Sequence, residues 1–154
     1  MDNELVFRLA TIDDLPDIIR MLADDDLGQK REKIQYPISG KYISAFNKIV
    51  SDPNQELTIV EMNNEKVATF HLTFIQYLTH QGSIRAQIEA VRTSSSFRNQ
   101  GIGKKVFEYL INRAKEKDCI MLQLTTDKQR PDAIRFYESI GFTATHEGMK
   151  LKLK

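Results

Sequence analysis

The sequence lacks a second cysteine. Cys119 is the only one in 154 residues, so no disulfide can form within the chain. A cytoplasmic home is the simple expectation. No apolar run approaches the roughly 18 residues that a membrane span needs. The first residues, M-D-N-E-L-V-F, lack the basic region and long apolar core of a secretory signal. An excess of charge of one sign is missing too. The 22 Lys and Arg against 21 Asp and Glu leave a formal net charge of +1. Neither nucleic acid nor an anionic membrane is therefore expected as a partner. His71, His80 and His146 have no metal-ligand spacing and no cysteine cluster beside them, so no metal is expected. Cys119 opens a compact apolar run with no histidine near it in sequence, which reads as a packed thiol rather than a nucleophile.

What is present is ordinary for a globular chain: 41% hydrophobic and 28% charged residues, over a length that suits one domain, 1–154. Periodicity gives the order of elements. A short strand is expected at 6–10. A helix follows, with Asp13 as N-cap, Pro16 in its first turn and Leu15, Ile18, Ile19 and Leu22 as its stripe. Asp24, Asp25 and Asp26 end it and Gly28 marks the break, after which 27–40 read as irregular. A second helix is expected over 42–50. Strands follow at 57–62 and 67–78, joined at Asn63 and Asn64, which tolerate a left-handed turn. A turn at Gln81 and Gly82 leads to a strand from residue 84, where Ile84, Ala86, Ile88 and Ala90 alternate with Arg85, Gln87 and Glu89. A helix to about Lys117 and a strand over 120–125 come next. The last helix starts at Arg130 and Pro131 and stops at Gly141. A hairpin of 142–145 and 149–153, turning at Glu147 and Gly148, is expected to close the fold. The order β-α-α-β-β-β-α-β-α-β-β is that of an α/β domain.

The chemistry concentrates in F-R-N-Q-G-I-G-K-K, residues 97–105. The run follows a strand and opens a helix. Its glycines, Gly101 and Gly103, have no Cβ and let a ligand approach the backbone. The first turn of a helix offers unpaired N–H groups and the positive end of the dipole, a place for a phosphate. Arg98, Lys104 and Lys105 add positive charge. A P-loop is excluded, because Arg98 and Lys105 stand where Gly and Ser or Thr would be required. A dinucleotide fingerprint fails at Val106. R-x-x-G-x-G after a strand remains.

That motif carries a resemblance. I-E-A-V-R-T-S-S-S-F-R-N-Q-G-I-G, from Ile88, resembles the core motif of the GNAT superfamily of acyl-CoA-dependent N-acetyltransferases. A-I-R-F-Y-E-S-I-G-F, from Ala133, resembles that family's second signature. The resemblance covers essentially the whole element order. It implies one domain with a mixed, mostly antiparallel sheet that is splayed at its centre. It implies acetyl-CoA as cosubstrate, lying in a gap between a bulged strand ending near Val91 and the strand at 120–125. The main chain of Val91, Arg92 and Thr93 would meet the pantetheine arm as an added strand does. The segment Arg98, Asn99, Gln100, Gly101, Ile102, Gly103 and Lys104 would hold the pyrophosphate. Tyr137 would stand by the sulfur, where a phenol, protonated at neutral pH, can donate to a departing thiolate. Glu89 would take the proton of the attacking amine; the alternative is a solvated glutamate, or one salt-bridged to Arg85. A lysine-type amine, with a pKa near 10.4, is neutral in only about one molecule in a thousand at pH 7.4. The family often has Asn where this chain has Arg130. Asp24, Asp25 and Asp26 fall where the family's acceptor entrance forms, either as a lure for a cationic amine or as a solvated helix end.

The expected activity is acetyl transfer to a primary amine by direct attack in a ternary complex, by a chain that resemblance makes a homodimer. A non-catalytic acyl-CoA-binding module of the same fold is the alternative. It needs Val91, Gly101 and Gly103 but neither Tyr137 nor Glu89. A nucleotide-binding regulator using the same glycine loop is a third reading. The acceptor, a small-molecule or peptide amine, has no signature that decodes it.

Overall fold

Strands β2 (Gln55–Met62) and β3 (Glu65–Gln76) are the frame on which the first part of the chain is hung. Both are rich in β-branched and aromatic residues, and both have their middles buried on the two faces. Asn63 and Asn64 join them at φ of 51° and 64°, the left-handed pair that a two-residue hairpin demands. β1 (Leu5–Leu9) lies antiparallel to β2, and β4 (Ile84–Thr93) antiparallel to β3. β5 (Cys119–Leu124) ends a mixed five-stranded sheet of order β1-β2-β3-β4-β5. The computed structural model describes residues 3–154, in two units: one ending at Gln123, the other Leu124–Lys154.

In the first unit, helices cover both faces of the sheet. Helix α1 (Leu15–Ala23), the short α2 (Gly28–Arg31) and α3 (Gly40–Ser51) fill the connection from β1 to β2. Leu15, Ile18, Ile19 and Met21 of α1 and Phe46 of α3 pack with Ile59 of β2. Side chains alternate along a strand, so Val60 and Phe70 turn to the other face. There Phe70 meets Phe7 and Tyr109, whose rings stack at 4.1 Å. Tyr109 belongs to α5 (Ile102–Glu116), which buries Ile102, Val106, Phe107, Leu110 and Ala114, the face set by its apolar spacing. The hairpin from β3 to β4 passes through a single turn, α4 (Thr79–Gly82), in which His80, Gln81 and Gly82 are left-handed.

Three local expectations are corrected in this unit. Asp13 does not cap α1. The position falls to Asp14, which is 2% exposed and whose carboxylate binds the Thr11 amide and the Arg8 and Lys66 side chains. Residues 27–40 are not all irregular: α2 forms at Gly28. A Cβ there would lie 2.1 Å from the Leu22 carbonyl oxygen, so the residue sits where only glycine fits. Helix α3 starts earlier than its apolar face suggests, because Ser39 caps it through the Lys41 amide.

The second unit holds α6 (Pro131–Ser139), with Arg130 at the N-cap and Pro131 in the first turn. Gly141 ends it at φ 104°, and the Phe142 amide returns to the Tyr137 carbonyl at 3.0 Å, as expected of a glycine just past a helix end. The closing hairpin is the main correction. Neither 142–145 nor 149–153 is a strand. Alternation selects which face of a strand is apolar, but a strand exists only where a neighbour completes its hydrogen bonds. Within the second unit the two segments do not pair with each other as a hairpin.

Candidate functional site

The site is organised by an irregularity in β4. His71 of β3 pairs with Glu89, yet two residues back Thr69 pairs with Arg92. Ala90 and Val91 thus stand opposite one residue, Phe70, and Ala90 takes a φ of 53°. This is a β-bulge, with the kink and unpaired main chain that bulges bring. The resemblance placed it on this strand. The bulge re-aims the residues after it. Arg92 Nη1 donates to the Val91 carbonyl at 2.9 Å, and its Nε lies 4.0 Å from Asp25.

Beyond Thr93 the chain makes a short 3-10 turn, Ser95–Phe97, and reaches α5 through Asn99 and Gly101, both left-handed. Gly101 is the N-cap, with φ 77°. A Cβ at this position would touch nothing within 4 Å, so it is the backbone angle, not crowding, that calls for glycine. The first turn of α5 contains no acidic residue, and Lys104 and Lys105 lie exposed in it. Its leading amides have no intrahelical acceptor. Donors, dipole and charge together suit a phosphate or pyrophosphate.

The acidic run after α1 is tied to this loop. Asp24 Oδ2 accepts the Ser95 amide at 3.0 Å and lies 3.4 Å from Arg98 Nη2. Arg98 also donates to the Asp24 carbonyl at 2.7 Å and to the Thr93 carbonyl at 3.3 Å. Asp25 receives the Gly28 amide. Asp24 therefore fastens α1 to the loop, and Asp25 ties the end of α1 to the start of α2, a third role beside lure and solvated end. The Arg98 side chain, expected to add positive charge near a bound phosphate, also ties the loop to the end of α1. A cleft of about 560 Å³ opens beside them, lined in part by Asp17, Arg20, Asp24, Lys66 and Ser94. Glu89, Val91 and the glycines of the loop do not line it.

Glu89 is exposed and accepts a 3.4 Å hydrogen bond from Gln87. Arg85, its other candidate partner, lies over the Tyr77 ring instead. Across the strands Glu89 faces His71, a residue that sequence reasoning tested only as a metal ligand. Burial pushes the His71 pKa down, and the Glu89 charge opposes this in part. Its Nε2–H donates to Gln55 Oε1 at 2.8 Å. A neutral imidazole and a carboxylate thus share one face at the bulge. The register of β3 against β4 was the signal that would have found it, and spacing along one strand does not contain it.

Tyr137 lies in the second unit, on α6. Its ring meets Phe136 and Phe142 edge-on, at centroid distances of 5.7 and 6.0 Å. Arg130 there donates its amide to the Asp127 carbonyl at 2.9 Å. Cys119, at the start of β5, is half-buried, and burial pushes its thiol pKa up, away from the thiolate a nucleophile needs. Among the described residues no group of three or more His, Cys, Asp or Glu could hold a metal, and no helix is long and apolar enough to cross a membrane.

The profile of the Acetyltransferase (GNAT) family matches residues 17–142. The crystal structure of a transcriptional regulator from Bacillus halodurans C-125 is 50% identical. It superposes with a TM-score of 0.93 over 97% of this chain and 100% of that one. A predicted acetyltransferase from Clostridium acetobutylicum, crystallised with acetyl-CoA, is 24% identical, with a TM-score of 0.73 over 97% of each chain. A probable glucosamine 6-phosphate N-acetyltransferase of Drosophila melanogaster is 23% identical over 106 residues, 68% of this chain. Those residues are 47% of the fly protein, so the chain spans about half the length of that curated relative.

Proposed function

Because the chain belongs to the Acetyltransferase (GNAT) family, we propose that it moves an acetyl group from acetyl-CoA to a primary amine, by direct attack with both substrates bound together. The chain is an acyltransferase of that family, whose members use acetyl-CoA. The finer assignments are ours. The observation that carries them is the course of β4: a bulge at Ala90 that frees main chain, then a loop whose left-handed Gly101 opens an acid-free helix start.

In this reading the amides of residues 98–104 hold the pyrophosphate, and the main chain of Val91, Arg92 and Thr93 receives the pantetheine arm. Arg92 yields its hold on the Val91 carbonyl as that arm arrives. Glu89, with neutral His71 opposite, takes the proton from the attacking amine, directly or through water. The phenol of Tyr137 gives its proton to the departing thiolate. No covalent enzyme intermediate is needed, which agrees with the raised thiol pKa of Cys119. The whole chain, 1–154, acts as one catalytic domain.

The acceptor is a small-molecule or peptide amine. The fly relative's name adds amino-sugar phosphates to that range. The Bacillus relative's name favours a second reading, an acyl-CoA-binding regulator without turnover. Release of free thiol separates the two. Purified chain with acetyl-CoA is offered a panel of polyamines, amino acids, amino sugars and their phosphates, and peptides. Thiol release that depends on one amine class is the expected result. Binding of acetyl-CoA without thiol release from any amine would leave the regulator.

A further inference from the structure

Asp52, Gln55 and His71 form a chain of hydrogen bonds that ends beside Glu89. Asp52 is the C-cap of α3. Its Oδ1 takes the Asn54 amide at 2.8 Å, and its Oδ2 takes the side-chain Nε2 of Gln55 at 3.0 Å. These bonds push the Asp52 pKa down, the one from Gln55 most, so the carboxylate is ionised and can only accept. The Gln55 group beside it must therefore be the NH2. The carbonyl Oε1 of Gln55 is then the atom 2.8 Å from His71 Nε2. A carbonyl oxygen has no proton to give, so Nε2 carries it. One ionised carboxylate thus decides an amide orientation and an imidazole tautomer, both of which heavy atoms alone leave open.

The other ring nitrogen is left bare. Burial disfavours the imidazolium, so His71 is neutral and Nδ1 holds a lone pair. No second hydrogen bond reaches the ring among the described residues. Glu89 stands directly across the ladder, and side chains so paired have Cβ atoms about 4.5–5.5 Å apart. Glu89 of β4 is the charge that acts on the ring directly, and Asp52 at the end of α3 acts through Gln55. Every member of the chain belongs to the first unit.

We propose that Gln55 is a positioning residue: held by Asp52, it keeps the ring proton of His71 on Nε2 and presents Nδ1 as a second proton acceptor beside Glu89. The geometry stands on the hydrogen bonds, and its use rests on the acyl-transfer reading. The acceptor amine arrives as an ammonium. Glu89 collects one of its protons, directly or through water, and Nδ1, ordinarily the stronger base of the two, stores it as imidazolium. The Glu89 carboxylate then faces the new positive charge, while Gln55 Oε1 still accepts from Nε2–H. The freed amine forms its bond to the acetyl carbon as the carbon–sulfur bond breaks. A second proton leaves the nitrogen and balances the one that the sulfur gains, and the stored proton leaves to water. With the opposite tautomer the bare nitrogen would face Gln55 and could store nothing.

Two measurements on the full chain test it. The first is a long-range proton–nitrogen correlation spectrum of the imidazoles. The chain has 3 histidines, and His71→Gln assigns the ring by removing its signals. The native ring should be a single tautomer at neutral pH, with Nε2 protonated and Nδ1 bare. Gln55→Leu should mix the two tautomers. Gln55→Glu keeps an acceptor for Nε2–H and adds a charge, so it should fold and raise the His71 titration midpoint by about one unit or more. The second measurement is steady-state kinetics with an amine that the chain acetylates. Gln55→Leu should lower kcat by about ten- to a hundredfold, the range seen when the hydrogen-bond partner of a ligating histidine is removed, with the KM for acetyl-CoA unchanged. In Gln55→Glu the acid limb of the pH profile should move up with the His71 midpoint. A protonated Nδ1 in the native chain, a native tautomer in Gln55→Leu, or an acid limb that ignores the raised midpoint would overturn the proposal. The spectra need no acceptor, so they judge the positioning apart from the acyl-transfer reading, which thiol release judges.

Discussion

Replacing Asp24 with alanine removes the fastener between α1 and the loop that leads into α5. Two contacts go. One is the hydrogen bond from the Ser95 amide to the carboxylate, 3.0 Å long. A bond of this kind to a charged group contributes about 1.5–3 kcal/mol. The other is the pair with Arg98 at 3.4 Å, with the side chains 44% and 37% exposed, so screening keeps it below about 1 kcal/mol. The Arg98 bond to the Asp24 main-chain carbonyl survives any substitution. If half of the loss appears as disorder that acetyl-CoA must reverse, affinity falls by about tenfold, since 1.4 kcal/mol is a factor of ten. Asp24→Asn keeps an oxygen for the Ser95 amide and removes a negative charge beside the proposed pyrophosphate site. It should bind acetyl-CoA about as tightly as the native chain. The assay is an acetyl-CoA binding isotherm beside steady-state kinetics. The Michaelis constant for acetyl-CoA should rise in the alanine variant, with turnover at saturation and the acceptor constant unchanged. A salt-sensitive rise in the acceptor constant, shared by alanine and asparagine, would show instead that the acid run steers an amine. An alanine variant with native affinity would refute the fastening argument.

Other outcomes follow from single residues. Gly101→Val should cost about 1–2 kcal/mol of stability and abolish the melting shift given by acetyl-CoA, because φ of 77° is hostile to a branched side chain. Gly101→Asn should retain much of both, read by calorimetry with and without acetyl-CoA. Tyr137→Phe should keep acetyl-CoA affinity and lose roughly 10²- to 10⁴-fold in turnover where proton transfer limits the rate; native turnover, with chemistry shown to be limiting, would remove the phenol from the mechanism. Glu89→Gln should lower kcat/KM at neutral pH and leave acetyl-CoA binding alone, and if His71 shares the proton, only the double change with His71→Gln should erase the acid limb of the pH profile. Asp14 tests the charge cluster under α1. The Arg8 guanidinium, with Lys66 and the Thr11 amide, holds its carboxyl well below the usual carboxylate range. A depressed pKa gives stability that is fully present above about pH 4 and lost as pH falls through the folded value. Asp14→Asn should therefore lower the melting temperature clearly at pH 7, and the two curves should converge in strong acid.

The loop was the most legible part of the chain. Gly101 had to be left-handed or close to a ligand, and the first turn of a helix always leaves amides open. Those are local properties, written in residues 97–105. The helix faces and the Asn63–Asn64 turn were legible for the same reason, since periodicity and turn chemistry act within a few residues. The bulge entered by resemblance, because one extra residue in β4 exists only relative to β3. The partnership of His71 with Glu89 and the fastening of Ser95 by Asp24 join residues far apart in sequence, and no spacing rule reaches that far. Charge told a similar story. Asp13 and Asp14 look alike in sequence, and packing alone chose Asp14 for burial against Arg8 and Lys66. The tail shows the limit most clearly. Its alternation of leucine and lysine fixed which face would be apolar, and tertiary structure decided whether a strand forms at all, because a strand's hydrogen bonds belong to its neighbour.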